Sequence, residues 1–411
     1  MWVFYYRCRH NYSLQLHAER QKNKRMNPIK SDFLLDPNIT FLNFGSFGAC
    51  PKPVFEVYQD FQRKLEFEPV RFLLHDGIKG LESSRKALAQ YVNCHHDDLV
   101  YVTNPSYGIN TIAKSIVLEK GDEILSTNLE YGAMDRTWKY YCDRVGAHYI
   151  QQKISLPIKD KATFLEDFWA GSSPKTKAVF ISQITSATGL ILPVKEICEE
   201  AKKRNILTII DGAHVPAHLP LDLLDLNPDV YVGACHKWML APKGSSFLYV
   251  KKEQQHWVDP LLISWGYQSD YPSHSSFIDY HQTNGTRDFS AFLTVPAAIA
   301  YLEKHHWEGE ARKCKAMAIS NATRFCNLVN SEPISPLTTD FLGQMFSIPI
   351  RSKDPLQLHQ LLFERYKIEI PVTFQNVQWY LRYSIQAFNS TQDLDVLEAA
   401  LLSIKKQGLL L

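Results

Sequence analysis

The sequence predicts an α/β protein with a mainly parallel sheet, followed by a smaller α+β unit. One observation is a series of short apolar segments, rich in β-branched residues, at 99–104, 122–128, 177–185, 206–213, 229–234 and 245–250. Another is that amphipathic stretches lie between several of these segments, as at 193–204. Strands that are apolar almost throughout and alternate with helices are typical of parallel sheets covered by helices on both faces.

The chain after the predicted sheet is organised differently. Residues 255–290 are rich in loop formers, and a helical stretch follows from about 291 to 330. The remaining pattern predicts, in order, a strand at 346–350, a helix at 355–366, a strand at 380–385 and a final helix at 391–406. We therefore divide the chain into an N-terminal extension outside the fold, an N-terminal segment, a large domain and a small C-terminal domain, with bounds 1–25, 26–80, 81–290 and 291–411.

Composition excludes several classes of function. The chain has 411 residues and a net charge of only +2, so we expect no nucleic-acid partner bound through bulk charge. No apolar run reaches the roughly 18–20 residues that a membrane helix needs, so we expect no membrane partner. The eight cysteines contain no CxxC pair, which argues against a zinc-finger-type metal site. The chain is too large to be a small disulfide scaffold, so we expect a reduced, cytoplasmic chain. We interpret His95 and His96, in a CHHDD turn, as a solvated loop rather than metal ligands.

The first 25 residues differ from the rest of the chain. They carry six Lys or Arg residues and one acidic residue, Glu19, and they lack the apolar core of a secretory signal. We interpret them as a non-structural extension, with a weak organellar targeting peptide as the alternative. Met26 would open a sensible N-terminus.

The predicted strands end in polar loops that carry candidate chemistry. These loops read TNPSYG, STNLEYG, TSATG, DGAH and ACHK. Because ligands of such sheets bind at the carboxyl ends of the strands, the five loops should face one site. Asp211 ends one strand, and Lys237 follows the end of the next.

A lysine buried at a strand end is costly unless its charge is neutralised or the amine is used covalently. A Schiff base with an aldehyde cofactor would do this, and pyridoxal phosphate is the obvious one. That cofactor needs an acid at its pyridine nitrogen, a donor to its phenolate and a phosphate cradle. Asp211 is the candidate acid, and His214 in the same loop is the candidate donor.

Motifs along most of the chain then resemble one known family. They are LNFGSFGACPKPV (42–54), EPVRFL (68–73), NPSYGINT (104–111), LEYGAMDRTW (129–138), TSATGLILPVKEI (185–197), DGAH (211–214), HKWMLAPKGSSFLYV (236–250), GTRD (285–288) and LRYSIQAFN (381–389). In this order they resemble the class V aminotransferases, which are fold-type I pyridoxal-phosphate enzymes, and most closely the isopenicillin N epimerase-like subgroup. The resemblance implies a large domain with a mainly parallel seven-stranded sheet, a small α+β C-terminal domain, and an N-terminal segment that covers the active site.

The resemblance also implies roles for individual residues. Lys237 matches the Schiff-base lysine and Asp211 the partner of the pyridine nitrogen. The remaining cofactor-binding positions are His214 and Ser186 near the phenolate, Tyr131 stacked on the ring, and Ser106, Tyr107 and His236 around the phosphate. Anions favour the backbone N–H groups of a helix start, which suits Ser106 and Tyr107. Many relatives have a serine where this chain has Ala234, so one hydroxyl contact to the phosphate is missing.

Substrate and partner positions follow from the same resemblance. Arg382 matches the arginine that binds the α-carboxylate of an amino-acid substrate, a task that suits a bidentate guanidinium, and Ser46 lies where the segment approaches that carboxylate. Gly285 and Thr286 resemble a loop that reaches the phosphate of the neighbouring subunit, which implies a homodimer with composite active sites. Arg71 and Arg287 match either substrate contacts or salt bridges between subunits, and we favour a structural role for Arg71.

The type of reaction stays open at this point. An amino acid held by Arg382, with Lys237 as the base for its α-proton, could undergo epimerisation, transamination or β-elimination. We favour an epimerase or aminotransferase, with a C–S lyase as the alternative and a non-catalytic dimeric scaffold as the least favoured. No cysteine lies between Cys326 and Arg382, which argues against the loop thiol of a persulfide-forming desulfurase. A second acid or base is unassigned; Tyr107, Tyr131, His75 and Tyr383 are candidates, and Cys235 is interpreted as a small buried residue.

Overall fold

The structure, a computed structural model, describes residues 28–411. The predicted extension 1–25 therefore lies outside the described residues. In the described part, no helix is both long and apolar enough to cross a membrane.

A seven-stranded sheet forms the centre of the molecule. Its strands are β2 (Leu99–Val102), β3 (Glu123–Thr127), β4 (His148–Gln152), β5 (Thr176–Ser182), β6 (Leu207–Gly212), β7 (Val230–Ala234) and β8 (Ser246–Val250). Their order is β2-β8-β7-β6-β5-β3-β4, and only β8 runs antiparallel to its neighbours. The predicted α/β fold with a mainly parallel seven-stranded sheet is thus confirmed.

Six of these strands coincide with the apolar segments of the sequence, whereas β4 was missed. Its sequence, HYIQQ, is mostly polar and only partly buried because β4 pairs with β3 at the edge of the sheet. An edge strand has one neighbour and a wetter surface, so it lacks the apolar run that identifies a central strand.

Helices cover both faces of the sheet. They are Lys52–Phe67, Gly77–Tyr91, Pro105–Ser115, Gly132–Val145, Lys161–Trp169 and Val194–Lys203. Consecutive residues of one strand enter different cores, as Ile209 and Ile210 of β6 do. This alternation explains why the strands are apolar on both sides, since each face is packed against helices.

Residues 275–328 form shorter helices before the C-terminal unit. These are Ser276–Gln282, Ser290–Leu293, Val295–Lys304, Trp307–Ser320 and Ala322–Leu328. The C-terminal unit contains an antiparallel sheet of β9 (Met345–Ile350), β12 (Gln378–Ser384) and β11 (Val372–Gln375), with the helices Pro355–Glu364 and Thr391–Lys406. The predicted strands at 346–350 and 380–385 correspond to β9 and β12.

The N-terminal segment is tied to the C-terminal unit. Its short strand β1 (Thr40–Phe41) pairs in parallel with β10 (Ile368–Glu369), and Asn43 forms a β-bridge with Ser384. These contacts bring residues 43–48 to the carboxyl ends of the central strands. The four-part division of the chain stays a prediction.

Candidate active site

Two ionisable groups, the buried Asp211 and the half-buried Lys237, lie at the carboxyl ends of adjacent strands of the sheet. Asp211 is near the end of β6, and Lys237 is the third residue after β7. The Asp211 carboxylate accepts a hydrogen bond from the Ala213 backbone N–H at 2.9 Å, and no cation of residues 28–411 lies within 4 Å of it. Burial raises the pKa of Asp211, while the charge of Lys237 opposes that rise.

The amine of Lys237 contacts His214. Its Nζ lies 3.2 Å from His214 Nε2, and Trp238 Nε1 donates to His214 Nδ1 at 3.3 Å. Because indole N–H only donates, neutral His214 carries its proton on Nε2, where it faces the amine. Burial lowers the pKa of Lys237 to about 8 against the opposing charge of Asp211, and the same cause holds the pKa of His214 well below its usual value. A lysine with this pKa is in part an uncharged amine near neutral pH, as a nucleophile or base requires.

Arg382 on β12 lies opposite this pair and is 2% exposed. Its Nη2 donates to Ser46 Oγ at 3.0 Å, its Nη1 donates to the backbone carbonyl of Ser186, and its Nε has no partner. Ser46 in turn donates to Asn43 Oδ1 at 2.5 Å. Burial lowers the pKa of Arg382 to about 10. The structure thus brings Arg382, Ser46 and Ser186 together, although Ser186 contributes its carbonyl rather than its hydroxyl.

The N-terminal segment packs directly on Lys237. Gly48 has φ +64°, and a β-carbon there would lie 2.4 Å from the His236 carbonyl oxygen and 2.8 Å from Lys237 Cα. Lys243 Nζ donates to the Gly48 carbonyl at 3.0 Å and so holds the segment in place. Only a glycine allows this backbone approach.

The predicted phosphate side is the start of the helix Pro105–Ser115. Asn104 caps this helix, since its side chain accepts from the Tyr107 N–H at 2.9 Å, and Ser106 lies in the first turn. His236 Nδ1 lies 2.9 Å from the Ser245 carbonyl, and burial lowers the pKa of His236 to about 4. His236 is therefore neutral at pH 7.

Two predicted cofactor residues are not joined to this cluster by side-chain hydrogen bonds in the described part of the chain. Tyr131 precedes the helix Gly132–Val145 and is 49% exposed. Thr286 is exposed in the loop after the helix Ser276–Gln282. Their predicted roles remain predictions.

Sequence reasoning missed Glu130, which is 1% exposed. Its carboxyl accepts from the Thr127 hydroxyl at 2.6 Å, and from the Ser182 N–H at 2.9 Å and hydroxyl at 2.5 Å. Burial raises its pKa to about 8, and the charge of Asp211, which pairs in register with Ser182, adds to the rise. The sequence feature that could have identified Glu130 is an acidic residue between Leu129 and Tyr131, in the LEYG motif just after a strand.

Trp238 was also missed, although it directly follows the lysine. It is fully buried, and its N–H orients His214 as described above. Its ring packs on Phe44 of the N-terminal segment, with centroids 5.2 Å apart. An aromatic residue after the HK pair was the available signal.

The remaining candidates lie elsewhere. Side-chain atoms of His95, His96 and Asp97 lie within 4.8 Å of one another, and the Asp97 carboxylate is already bonded to His274 at 2.9 Å. Arg71 forms an exposed salt bridge with Asp76. Burial raises the pKa of the Cys235 thiol, as expected of an inert buried residue.

Comparisons with known proteins identify the family of the chain. The family model described as aminotransferase class V matches residues 48–397. Isopenicillin N epimerase of Amycolatopsis lactamdurans is 32% identical, over 90% of this chain and 96% of that protein. A probable chloroplastic L-cysteine desulfhydrase of Arabidopsis thaliana is 24% identical, over 92% of this chain and 86% of that protein.

Solved structures share the fold. The apo cysteine desulfurase of Thermococcus onnurineus NA1 superposes with a TM-score of 0.81 at 18% identity, covering 94% of this chain and 99% of that one. The cystine C-S lyase C-DES, in complex with cysteine persulfide, gives a TM-score of 0.77 at 22% identity, covering 89% and 98%. The fold-type I architecture that the sequence predicts is therefore confirmed.

Proposed function

Because this chain belongs to the class V aminotransferase family, as its motifs predicted, we propose that it acts on the α-carbon of an amino acid through Lys237. The family consists of pyridoxal-phosphate enzymes, which agrees with the predicted cofactor and enzyme class. One observation carries the assignment of residues. A half-buried lysine with a lowered pKa contacts His214 near the buried Asp211, and the buried Arg382 has no carboxylate partner among the described residues.

The residues present fit the cofactor. Asp211 is a buried carboxylate without a cation within 4 Å in the described chain, which is what a protonated pyridine nitrogen requires. Lys237 would hold the aldehyde carbon, and the start of the helix Pro105–Ser115 offers N–H groups to the phosphate. The other residues proposed to hold the cofactor are His214 and Ser186 at the phenolate, Tyr131 at the ring, and Ser106, Tyr107, His236 and Thr286 at the phosphate.

The chain's own groups then have distinct tasks. Arg382 binds the substrate carboxylate, since its buried guanidinium has an unpaired Nε and its orientation is held by Ser46. Bound pyridoxal phosphate supplies an electron sink for the α-carbon of the amino acid. Lys237 Nζ takes up the α-proton, because a pKa of about 8 provides free amine at neutral pH.

The attachment of the cofactor can be tested by substitution. Lys237→Ala should abolish the yellow colour and the covalent adduct that borohydride reduction and peptide mapping locate. Lys243→Ala is the matched control, because Lys243 lies six residues away and bonds only to the Gly48 carbonyl. An adduct on Lys243 or Lys251 would refute the assignment, and a colourless protein that takes up no cofactor would support a non-catalytic scaffold.

We rank an epimerase or aminotransferase above a C–S lyase. Two isopenicillin N epimerases are 32% and 31% identical to the chain, whereas the L-cysteine desulfhydrases are 23–26% identical. The lyase remains the second candidate because those desulfhydrases match up to 92% of the chain. The absence of a cysteine between Cys326 and Arg382 argues against a persulfide-forming loop thiol.

The reaction can be identified with a panel of L-amino acids in deuterated water, followed by mass spectrometry and chiral analysis. α-Deuterium with inversion indicates an epimerase, a keto acid an aminotransferase, and pyruvate with sulfide or a thiol a lyase. If no amino acid exchanges its α-proton and Arg382→Ala weakens the binding of none, the amino-acid assignment is wrong.

We propose a homodimer with composite active sites because residues 255–290 expose large apolar side chains. Trp265 is 84% and Tyr271 93% exposed, and Leu262 and Ile263 beside them are also exposed. Large apolar side chains clustered in this way mark an interface, and Thr286 is exposed nearby in sequence. A Lys237→Ala chain mixed with a Thr286→Ala chain should regain activity in heterodimers. An active monomer by light scattering would contradict this.

We also propose a cytoplasmic location, supported by the ordinary cysteine usage of a chain that is too large for a small disulfide scaffold. Cell fractionation with an antibody against the chain would test it. Recovery from a plastid or mitochondrial fraction would favour a targeting role for residues 1–25 instead.

A further inference from the structure

Two arginines of the described chain are shielded from solvent without an acidic partner. Four of the arginines in residues 28–411 are buried or half-buried, namely Arg85, Arg287, Arg324 and Arg382. Arg85 pairs with Asp97, and Arg324 pairs with two carboxylates on the last helix. Arg287 and Arg382 have no carboxylate of residues 28–411 within 4 Å, so both are available to an anion from outside this part of the chain. Arg382 has a proposed ligand, whereas the motif of Arg287 leaves a substrate contact and a salt bridge between subunits open.

The surroundings of Arg287 leave its donors unused. Its guanidinium lies 5.0 Å from the ring centroid of Phe292 and 5.8 Å from that of Phe289. Its Nη2 donates only a long bond of 3.4 Å to the Gln282 carbonyl, and its buried Nε has no partner. The neighbouring Asp288 is engaged elsewhere, with the Ser290 N–H and with Gln62. A desolvated guanidinium with unused donors is costly unless an oxyanion accepts hydrogen bonds from it.

Other unpaired polar atoms cluster in the same segment. His281 Nε2, Gln282 Oε1 and Ser290 Oγ are buried and have no hydrogen-bond partner. The segment is joined to the predicted phosphate side, because Asn284 Nδ2 donates to the Tyr107 hydroxyl at 3.3 Å. Tyr107 also interacts electrostatically with Arg287. The segment that carries Arg287 is thus held at Tyr107, in the first turn of the helix Pro105–Ser115.

We infer that Arg287 is a second anion-binding residue of the active site, which takes either the phosphate of the cofactor or a second carboxylate on the amino-acid substrate. Both ligands present planar or tetrahedral oxygen pairs that a guanidinium can bind with two parallel hydrogen bonds. The inference rests on the proposed function for the identity of these ligands. The capacity of Arg287 to bind an oxyanion does not depend on it.

The first test uses the wild-type apo chain and two small probes. Phenylglyoxal modifies accessible arginines, and peptide mapping reports the extent at Arg287 with and without inorganic phosphate or glutarate. We expect at least one probe to protect Arg287 several-fold, while Arg365 stays unprotected. Arg365 is a matched reference, because it also lies over an aromatic ring, 5.4 Å from the Tyr366 centroid, and has no carboxylate. Equal modification with and without both probes would overturn the inference, whether or not the chain binds a cofactor.

The second test separates the two sources with Arg287→Gln, and with Arg287→Lys to retain the charge if the first variant does not fold. If the anion is the phosphate, Arg287→Gln weakens binding of pyridoxal phosphate about tenfold or more and leaves binding of pyridoxal unchanged. If it is a second carboxylate, cofactor binding is unchanged and L-glutamate loses affinity relative to L-norvaline. Arg287→Lys should show a smaller loss in the same direction, and Arg365→Gln none. The inference is wrong if Arg287→Gln and Arg287→Lys both bind pyridoxal phosphate, pyridoxal, L-glutamate and L-norvaline with wild-type affinity.

Discussion

The contact between Gly48 and Lys237 yields a sharp prediction about how the N-terminal segment covers the site. Replacing Gly48 by alanine places a β-carbon 2.4 Å from the His236 carbonyl and 2.8 Å from Lys237 Cα. Gly244 provides a matched control, since it also has a positive φ, of +87°, but a β-carbon there would meet nothing within 4 Å. The two variants thus share backbone strain and differ in the contact with the lysine segment.

The magnitude follows from these two contributions. Gly48 combines φ +64° with ψ −178°, a conformation that is almost restricted to glycine and costs about 1–3 kcal/mol for other residues. Displacing backbone atoms from so close an approach costs about 1–3 kcal/mol more. We therefore expect Gly48→Ala to lower the free energy of unfolding by about 2–6 kcal/mol, and Gly244→Ala by about 1–2 kcal/mol.

The assay is urea unfolding followed by circular dichroism, together with the absorbance of bound cofactor after dialysis. If the N-terminal segment moves aside, the free energy of unfolding of Gly48→Ala should fall less than expected. Gly48→Ala should then lose bound cofactor during dialysis, whereas Gly244→Ala should retain it. Equal stability and equal cofactor retention in the two variants would refute the proposed packing of the segment on Lys237.

Three further predictions concern the residues around the site. The pKa of Glu130 in the folded chain is about 8, whereas its usual value is 4.5. The stability that this carboxyl contributes is therefore fully present below pH 4.5 and is lost as the pH rises to and through 8. Between these two values the free energy of unfolding falls by about 1.4 kcal/mol per pH unit. Urea unfolding should therefore show that the free energy of unfolding falls less between pH 6 and pH 9 in Glu130→Gln than in the wild type. An equal fall in both proteins would contradict the burial argument. Ser46→Ala frees one Arg382 donor and should change the binding of an amino-acid carboxylate by about 0.5–1.5 kcal/mol, measured by cofactor absorbance, with no change in cofactor affinity. Trp238→Phe keeps the ring but removes the donor to His214, so the apparent pKa of the pH–rate profile should shift while the fold stays intact by circular dichroism.

The sequence by itself determined six of the seven strands of the central sheet and the candidate chemistry at their ends. Segments such as 206–213 are apolar because both faces of β6 are packed, and this burial is visible in the residues themselves. Asp211 and Lys237 could be predicted because Asp211 lies at the end of β6 and Lys237 follows β7 within a few residues. Their meeting at one edge then follows from the parallel arrangement of the strands.

The tertiary structure alone decided which distant groups meet there. Arg382 contacts Ser46 and the Ser186 carbonyl only because β12 and the N-terminal segment pack against the ends of the large sheet. The burial of Glu130, and the turning of Asp288 to partners other than Arg287, are equally invisible in a single sequence. The physical reason is that local patterns report how each residue is buried on its own element, whereas pairing, pKa shifts and unpaired donors depend on which elements pack together.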